Sequence, residues 1–189
     1  IDNVRLLGTP GEGLEPPPPA GGPVAECCSN VAFIPGLQAT RLDLDGNRLW
    51  EPNRNLDVET LYFTDDGHPI TPGIRTDGVI DEAAGFNIYK NFISFMDELV
   101  ATGTVQEWQP FPYDWRFSAN DIIESDIPLK DGSTYRMADK FLQLASSSPT
   151  GKVTIITHSN GGLVAKALIS KLEAEGHGGL VDKLIMVAA

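Results

Sequence analysis

Val153-Thr154-Ile155-Ile156-Thr157-His158-Ser159-Asn160-Gly161-Gly162-Leu163-Val164 opens as a β-rich apolar run and resumes, after six small or polar residues, with helical spacing. Ile155 and Ile156 close a strand over residues 153–157, and Leu163, Val164, Ala167 and Leu168 begin a helix that runs to Leu172. A strand that turns at x-Ser-x-Gly straight into a helix strains the backbone at the serine and lifts its oxygen above the sheet edge. The N–H of the next residue then faces negative charge developing there. Residues two away on either side of the serine pack together in such a turn, so Gly161 suits it, while Thr157 stands where glycine is usual. The pattern makes Ser159 a candidate nucleophile and the N–H of Asn160 a candidate oxyanion donor.

Working outward, residues 183–187 form another apolar run after the helix. Val31-Ala32-Phe33-Ile34, closed by Pro35-Gly36, suits a buried strand ending in a tight turn. Apolar residues at 88, 89, 92, 93, 96, 99 and 100 predict a helix within 86–100, and 105–111 alternates as a strand would. Ser133 can cap a helix running through Met137, Phe141, Leu142 and Ala145 to a stop near Pro149. Strands alternating with helices predict an α/β chain with a mainly parallel sheet and flanking helices, and the serine turn between strand and helix points within that class to the α/β-hydrolase fold. In that fold the loop after an early strand gives the second oxyanion donor, which makes the N–H of Leu37 the candidate.

Residues 1–29 read as a Pro/Gly-rich linker or extended arm, containing Gly-Thr-Pro-Gly-Glu-Gly-Leu-Glu-Pro-Pro-Pro-Pro over 8–19. Residues 30–189 then form the folded part, with an irregular insertion over about 43–82 that is rich in Asp, Asn, Gly and Pro. Against 26 acidic residues stand 14 basic ones, a formal net charge of −12, which repels nucleic acid and argues against it as a partner. The three histidines are scattered, and Cys27-Cys28 lacks the spaced partners a tetrahedral zinc needs, so no metal and no cofactor is expected. No run of about 18 apolar residues marks a membrane span.

Ile34-Pro35-Gly36, Arg41-Leu42, Leu49-Trp50, Pro112-Tyr113-Asp114-Trp115-Arg116 and His158-Ser159-Asn160-Gly161-Gly162, in that order, resemble the lecithin:cholesterol acyltransferase-like lipases, in a bacterial branch. The resemblance implies acyl transfer from a lipid ester, through a serine acyl-enzyme on Ser159, to an alcohol or to water, with donors at Leu37 and Asn160. It implies a lipid or ester substrate at a membrane or lipid surface and a secreted or cell-envelope setting, and it leaves the oligomeric state open. Asp114 and Arg116, two apart, would share one face of an extended segment as a charge-assisted pair, supporting the site or touching substrate. Trp115 would face the other way as core or lid packing, and Trp50 would line an acyl groove or act as an anchoring aromatic.

A serine needs a base oriented by a carboxylate, and in this fold both follow it in the chain. Asp182 precedes the strand expected at 183–187 and so lies at the wrong edge of a parallel sheet. His177 comes after the helix, on the order of 25 Å away at about 1.5 Å per residue. His158 should project to the other side of its strand, and His68 sits in the insertion. The acid and base of the triad are therefore expected outside this chain. It then reads as the N-terminal part of the domain, truncated after the strand that follows the nucleophile helix and inactive alone. A non-catalytic binding or scaffold domain on the same fold is the alternative, and an amide-cleaving enzyme a third reading.

Overall fold

The computed structural model describes residues 28–52 and 54–189, so the proposed arm over 1–29 lies, but for its last two residues, outside the described residues, Cys27 included. Its centre is a four-stranded, all-parallel sheet whose strands lie in the order Val181–Val187, Val153–His158, Asn30–Ile34, Trp108–Pro110. In that order they are β11, β10, β1 and β7. β1 is buried along its whole length because parallel strands have helices on both faces, which is why its sequence is a continuous apolar run after Asn30. Side chains of a strand alternate faces, and two cores result. Val31 and Phe33 meet Phe92 and Met96 of α2 (Lys90–Ala101) on one side. Ala32 and Ile34 join Ile155, Phe111 and residues of three helices on the other. Those helices are α3 (Ala119–Glu124), α4 (Met137–Ser146) and α5 (Gly161–Ala174).

The order of the strands fixes where a ligand can sit. From β1 the chain crosses by α2 to β7 on one side, and from β10 it crosses by α5 to β11 on the opposite side. The loops leaving β1 and β10 therefore diverge and open a crevice at the carboxyl ends of these two neighbours, paired from Asn30↔Val153 to Ile34↔Thr157. Pro35-Gly36 and Ser159 are the residues that emerge there.

The stretch 43–82 is regular at its two ends, which its composition does not show, while most of residues 60–74 are turns and coil. β2 (Thr40–Leu44), β3 (Asn47–Trp50) and β4 (Arg75–Val79) form an antiparallel sheet in the order β3-β2-β4, followed on β3 by the short α1 (Asn55–Glu59). Leu42, Leu49, Leu61 and Ile74 close a small core with Trp50 and Trp115. A single small face needs few apolar residues, so the stretch looks polar. Its Asp45-Gly46 turn, both residues at positive φ, joins Leu44 to Asn47 as a two-residue hairpin.

Other boundaries shift. Phe86–Asn87 pairs with Glu82–Ala83 (β6 and β5), so the helix begins at Lys90. Ser133 does not cap α4, because its hydroxyl and N–H both go to Asp131 while Thr134–Tyr135 (β9) pairs with Ile127–Pro128 (β8). Asp182 lies within β11, near its start, where Ser29 donates to its carboxylate; that end of the sheet is opposite Ser159. Among the described residues no helix is long and apolar enough to cross a membrane.

Candidate active site

β10 delivers Ser159 with φ +49, a conformation a non-glycine residue rarely adopts. The kink is held by hydrogen bonds on both sides of it: Ser159 N–H donates to the Val187 carbonyl at 2.9 Å, and the Ser159 carbonyl accepts from Gly162 N–H at 2.9 Å. Helix α5 starts directly after, with Asn160 at its cap position. Gly161 is the tightest contact in the turn, since a Cβ there would stand 2.4 Å from the Ile34 carbonyl oxygen and 2.6 Å from that of Pro35. Gly36 presses from the facing loop, where a Cβ would meet His158 Nδ1 at 2.9 Å and Ser159 Cβ at 3.2 Å. Thr157, in the usual place of a glycine, is accommodated fully buried; its Oγ1 has no hydrogen-bond partner among the described residues.

The loop that faces the serine is pinned by aromatic side chains. Tyr113 Oη donates to the Pro35 carbonyl at 2.9 Å, and Gly36 N–H donates to Tyr89 Oη at 3.1 Å. Trp50 Nε1 donates to the Gln38 carbonyl at 2.7 Å, and Trp115 Nε1 to that of Thr40 at 3.1 Å. Gly36 closes a turn with Ala39 N–H at 3.3 Å, with Gln38 at φ +59. The N–H groups of Leu37 and Asn160 donate to no other group among the described residues. Burial pushes the Tyr113 phenol up to about 12 and raises that of Tyr89.

Two open grooves adjoin this point. Ser159 lines one of about 460 Å³ with Gly162, Leu163, Ile169 and Met186. His158 and Leu37 line the other, of about 280 Å³, with Trp50, Ile80, Ile88 and Tyr89. Trp50 is thus both a groove wall and an anchor, and Trp115 packs against it edge-on at 5.1 Å.

Asp114 and Arg116 do pair, but not from an extended segment. They bracket a turn in which Arg116 N–H caps Asp114 Oδ1 at 3.1 Å and the guanidinium meets the carboxylate at 2.6 to 3.1 Å. Arg116 also donates to the Leu61 carbonyl and lies over the Phe63 ring at 5.3 Å. The pair walls a separate cavity of about 200 Å³ between residues 69–74 and α3, which Ser159 does not line.

The histidines are dispersed. His158 Nδ1 is 2.7 Å from Tyr89 Oη, His68 is exposed beside Asp66 at 3.9 Å, and His177 lies beyond the far end of α5. No three His, Cys, Asp or Glu side chains among the described residues are grouped to hold a metal. Tyr89 escaped the sequence reading because it scored only as one apolar position of a helix. The one available signal was a tyrosine at a helix start, where Ser, Asp or Asn is usual.

No curated protein and no solved structure matched the chain. A family model described as Lecithin:cholesterol acyltransferase matches residues 76–189, a span that takes in Tyr89, Asp114, Arg116 and the Ser159 turn but not Leu37. That is more than half of the sequence, and the chain belongs to the lecithin:cholesterol acyltransferase family, which points in general terms to lipid acyl transfer or ester cleavage.

Proposed function

We propose that the protein is a serine-dependent acyl ester hydrolase or O-acyltransferase acting on lipid esters through an acyl-enzyme, and that the chain is the N-terminal part of an α/β-hydrolase domain. The observation that carries this reading is the φ of +49 at Ser159, at the junction of a parallel strand and a helix. A strained serine persists only where its surroundings over-determine it, as at a nucleophile.

Ser159 Oγ attacks the carbonyl carbon of the lipid ester while its proton passes to a base. The carbonyl oxygen becomes an oxyanion held by the N–H groups of Leu37 and Asn160, and the positive end of α5 adds to the same field. Collapse of the tetrahedral intermediate breaks the ester C–O bond and releases the alcohol, which takes its proton back from the base. An acceptor alcohol or water then repeats the sequence on the acyl-enzyme. His158 is engaged by Tyr89, and His68 and His177 are remote from the crevice, so this reading assigns the base and its carboxylate to residues outside these 189. Asp114 and Arg116 support the site through the fold.

The test is labelling of the full-length protein with a fluorophosphonate probe. Covalent labelling at Ser159 that disappears in Ser159→Ala is expected. A full-length protein that folds but takes no label would overturn the enzyme reading in favour of a binding or scaffold domain.

A further inference from the structure

We propose that Tyr89 is a positioning residue of the oxyanion site, its hydroxyl tying the Pro35-Gly36 peptide to His158 and so setting the Leu37 N–H against Ser159. The inference rests on the serine reading above and adds to it a residue whose hydroxyl acts through the loop that faces Ser159.

The hydroxyl of Tyr89 has two polar neighbours among the described residues, Gly36 N–H at 3.1 Å and His158 Nδ1 at 2.7 Å. One arrangement satisfies all three groups: Gly36 N–H donates to Oη, Oη–H donates to Nδ1, and His158 is neutral with its proton on Nε2. If Nδ1 instead carried the proton, Oη would accept twice and its own hydrogen would be left without an acceptor, a cost buried polar groups rarely bear. Burial favours the protonated phenol, so the donor is retained at neutral pH.

The consequence falls on the next peptide. Tyr113 holds the Pro35 carbonyl, Tyr89 the Gly36 N–H, and Ala39 N–H the Gly36 carbonyl. The polar groups around Gly36 are thereby committed, and the Leu37 N–H, which shares a planar peptide with the Gly36 carbonyl, is the donor left for a ligand. Since Gly36 already presses on His158 and Ser159, a bond from Tyr89 to His158 locks the loop to the strand that carries the nucleophile. Oxyanion stabilisation depends on donors fixed before the charge forms, and small displacements are costly.

The tyrosine's own placement does not depend on its hydroxyl. The N–H groups of Ile88, Tyr89 and Lys90 all donate to the Asp81 carbonyl at 2.9 to 3.0 Å, and the ring packs edge-on to Phe33 at 5.0 Å and to His158 at 5.6 Å. Tyr89→Phe therefore removes the clasp and keeps the packing.

In the full-length protein, with a short acyl ester as substrate, Tyr89→Phe is expected to lower kcat about 10- to 100-fold, short of the roughly 10²–10³ lost with an oxyanion donor itself. KM should stay within about twofold, and labelling of Ser159 by the fluorophosphonate should slow in step with kcat. His158→Asn, whose amide oxygen can accept from Tyr89, should keep most of kcat. His158→Leu should fall like Tyr89→Phe, and the double variant Tyr89→Phe/His158→Leu no further. If Ser159→Ala abolishes turnover while folded Tyr89→Phe keeps kcat within about twofold, the clasp is refuted and the serine reading stands. If Ser159→Ala leaves turnover intact, the serine reading fails and takes the clasp with it.

Discussion

Gly161 lies so close to Ile34 that a methyl group on it would stand 2.4 Å from the Ile34 carbonyl oxygen. The atoms it would meet, the carbonyl oxygens of Ile34 and Pro35, belong to main chain, so no side chain can turn aside to make room. Gly161→Ala should therefore push β1 and α5 apart at the point where the crevice opens. The expected loss is about 1–3 kcal/mol or more, the usual cost of overpacking a rigid site. It is read as a lower urea midpoint together with lost fluorophosphonate labelling. An unchanged midpoint and full labelling would mean that the elbow yields where its geometry says it cannot.

Ser159 stores strain that a glycine would not. At φ +49 a residue with a Cβ pays roughly 1–2 kcal/mol, whereas glycine adopts this region freely. Ser159→Gly should be more stable than Ser159→Ala by about 1 kcal/mol, a difference of about 2–4 °C in Tm for a domain of this size, although neither reacts with the probe. Equal melting temperatures would argue that the turn relaxes once the hydroxyl is gone.

The parallel sheet and the elbow were legible because they rest on local signals: continuous apolar runs in β1 and β10, and small residues between strand and helix. The small antiparallel sheet was not, because its core needs only Leu42, Leu49, Leu61 and Ile74 and is spread over 33 positions, although Asp45-Gly46 carried a hairpin signature in plain view. The aromatic pins were half legible. Tyr113 and Trp115 stand in a distinctive run, but their partners, the carbonyls of Pro35 and Thr40, are 78 and 75 residues away. Backbone acceptors carry no sequence signature, so such pairings emerge only from the fold. The same holds for Tyr89 and His158, 69 residues apart.

Asp114 is expected to matter for stability more than for chemistry. Its carboxylate and the Arg116 guanidinium are both largely shielded, with side-chain exposures of 12% and 6%, and Arg116 reaches on to Leu61 in the small sheet's core. Asp114→Ala leaves a buried cation without its partner, a change that costs about 3–5 kcal/mol. Asp114→Asn, which still accepts from the Arg116 backbone, should cost less. Urea unfolding gives the difference directly. Labelling of Ser159 in whatever fraction remains folded should proceed at the normal rate, because the pair walls a cavity that Ser159 does not line. A slowed reaction in the folded fraction would instead place Asp114 in the active site.

Tyr113 links the site to alkaline stability. Its phenol is completely buried, donates to the Pro35 carbonyl and is pushed by burial up to about 12 from an ordinary value of 10.0. In the unfolded chain the proton leaves near pH 10, while the folded chain holds it until about pH 12. Stability due to this group is therefore complete below pH 10 and is lost as pH rises from 10 to 12, where the unfolded state binds fewer protons. Each such proton steepens the fall by about 1.4 kcal/mol per pH unit. Tyr135, whose phenol burial drives higher still, adds to the slope through the same window. Tyr113→Phe should be less stable at pH 7, having lost the bond to Pro35, yet lose stability less steeply above pH 10 by one proton. Urea midpoints measured from pH 8 to 11.5 separate the two effects: an offset at neutral pH reports the bond, and the change in slope reports the phenol. Parallel curves for the two proteins would mean that Tyr113 ionises as freely in the fold as out of it, and that its hydroxyl is not shut in against the Pro35 carbonyl.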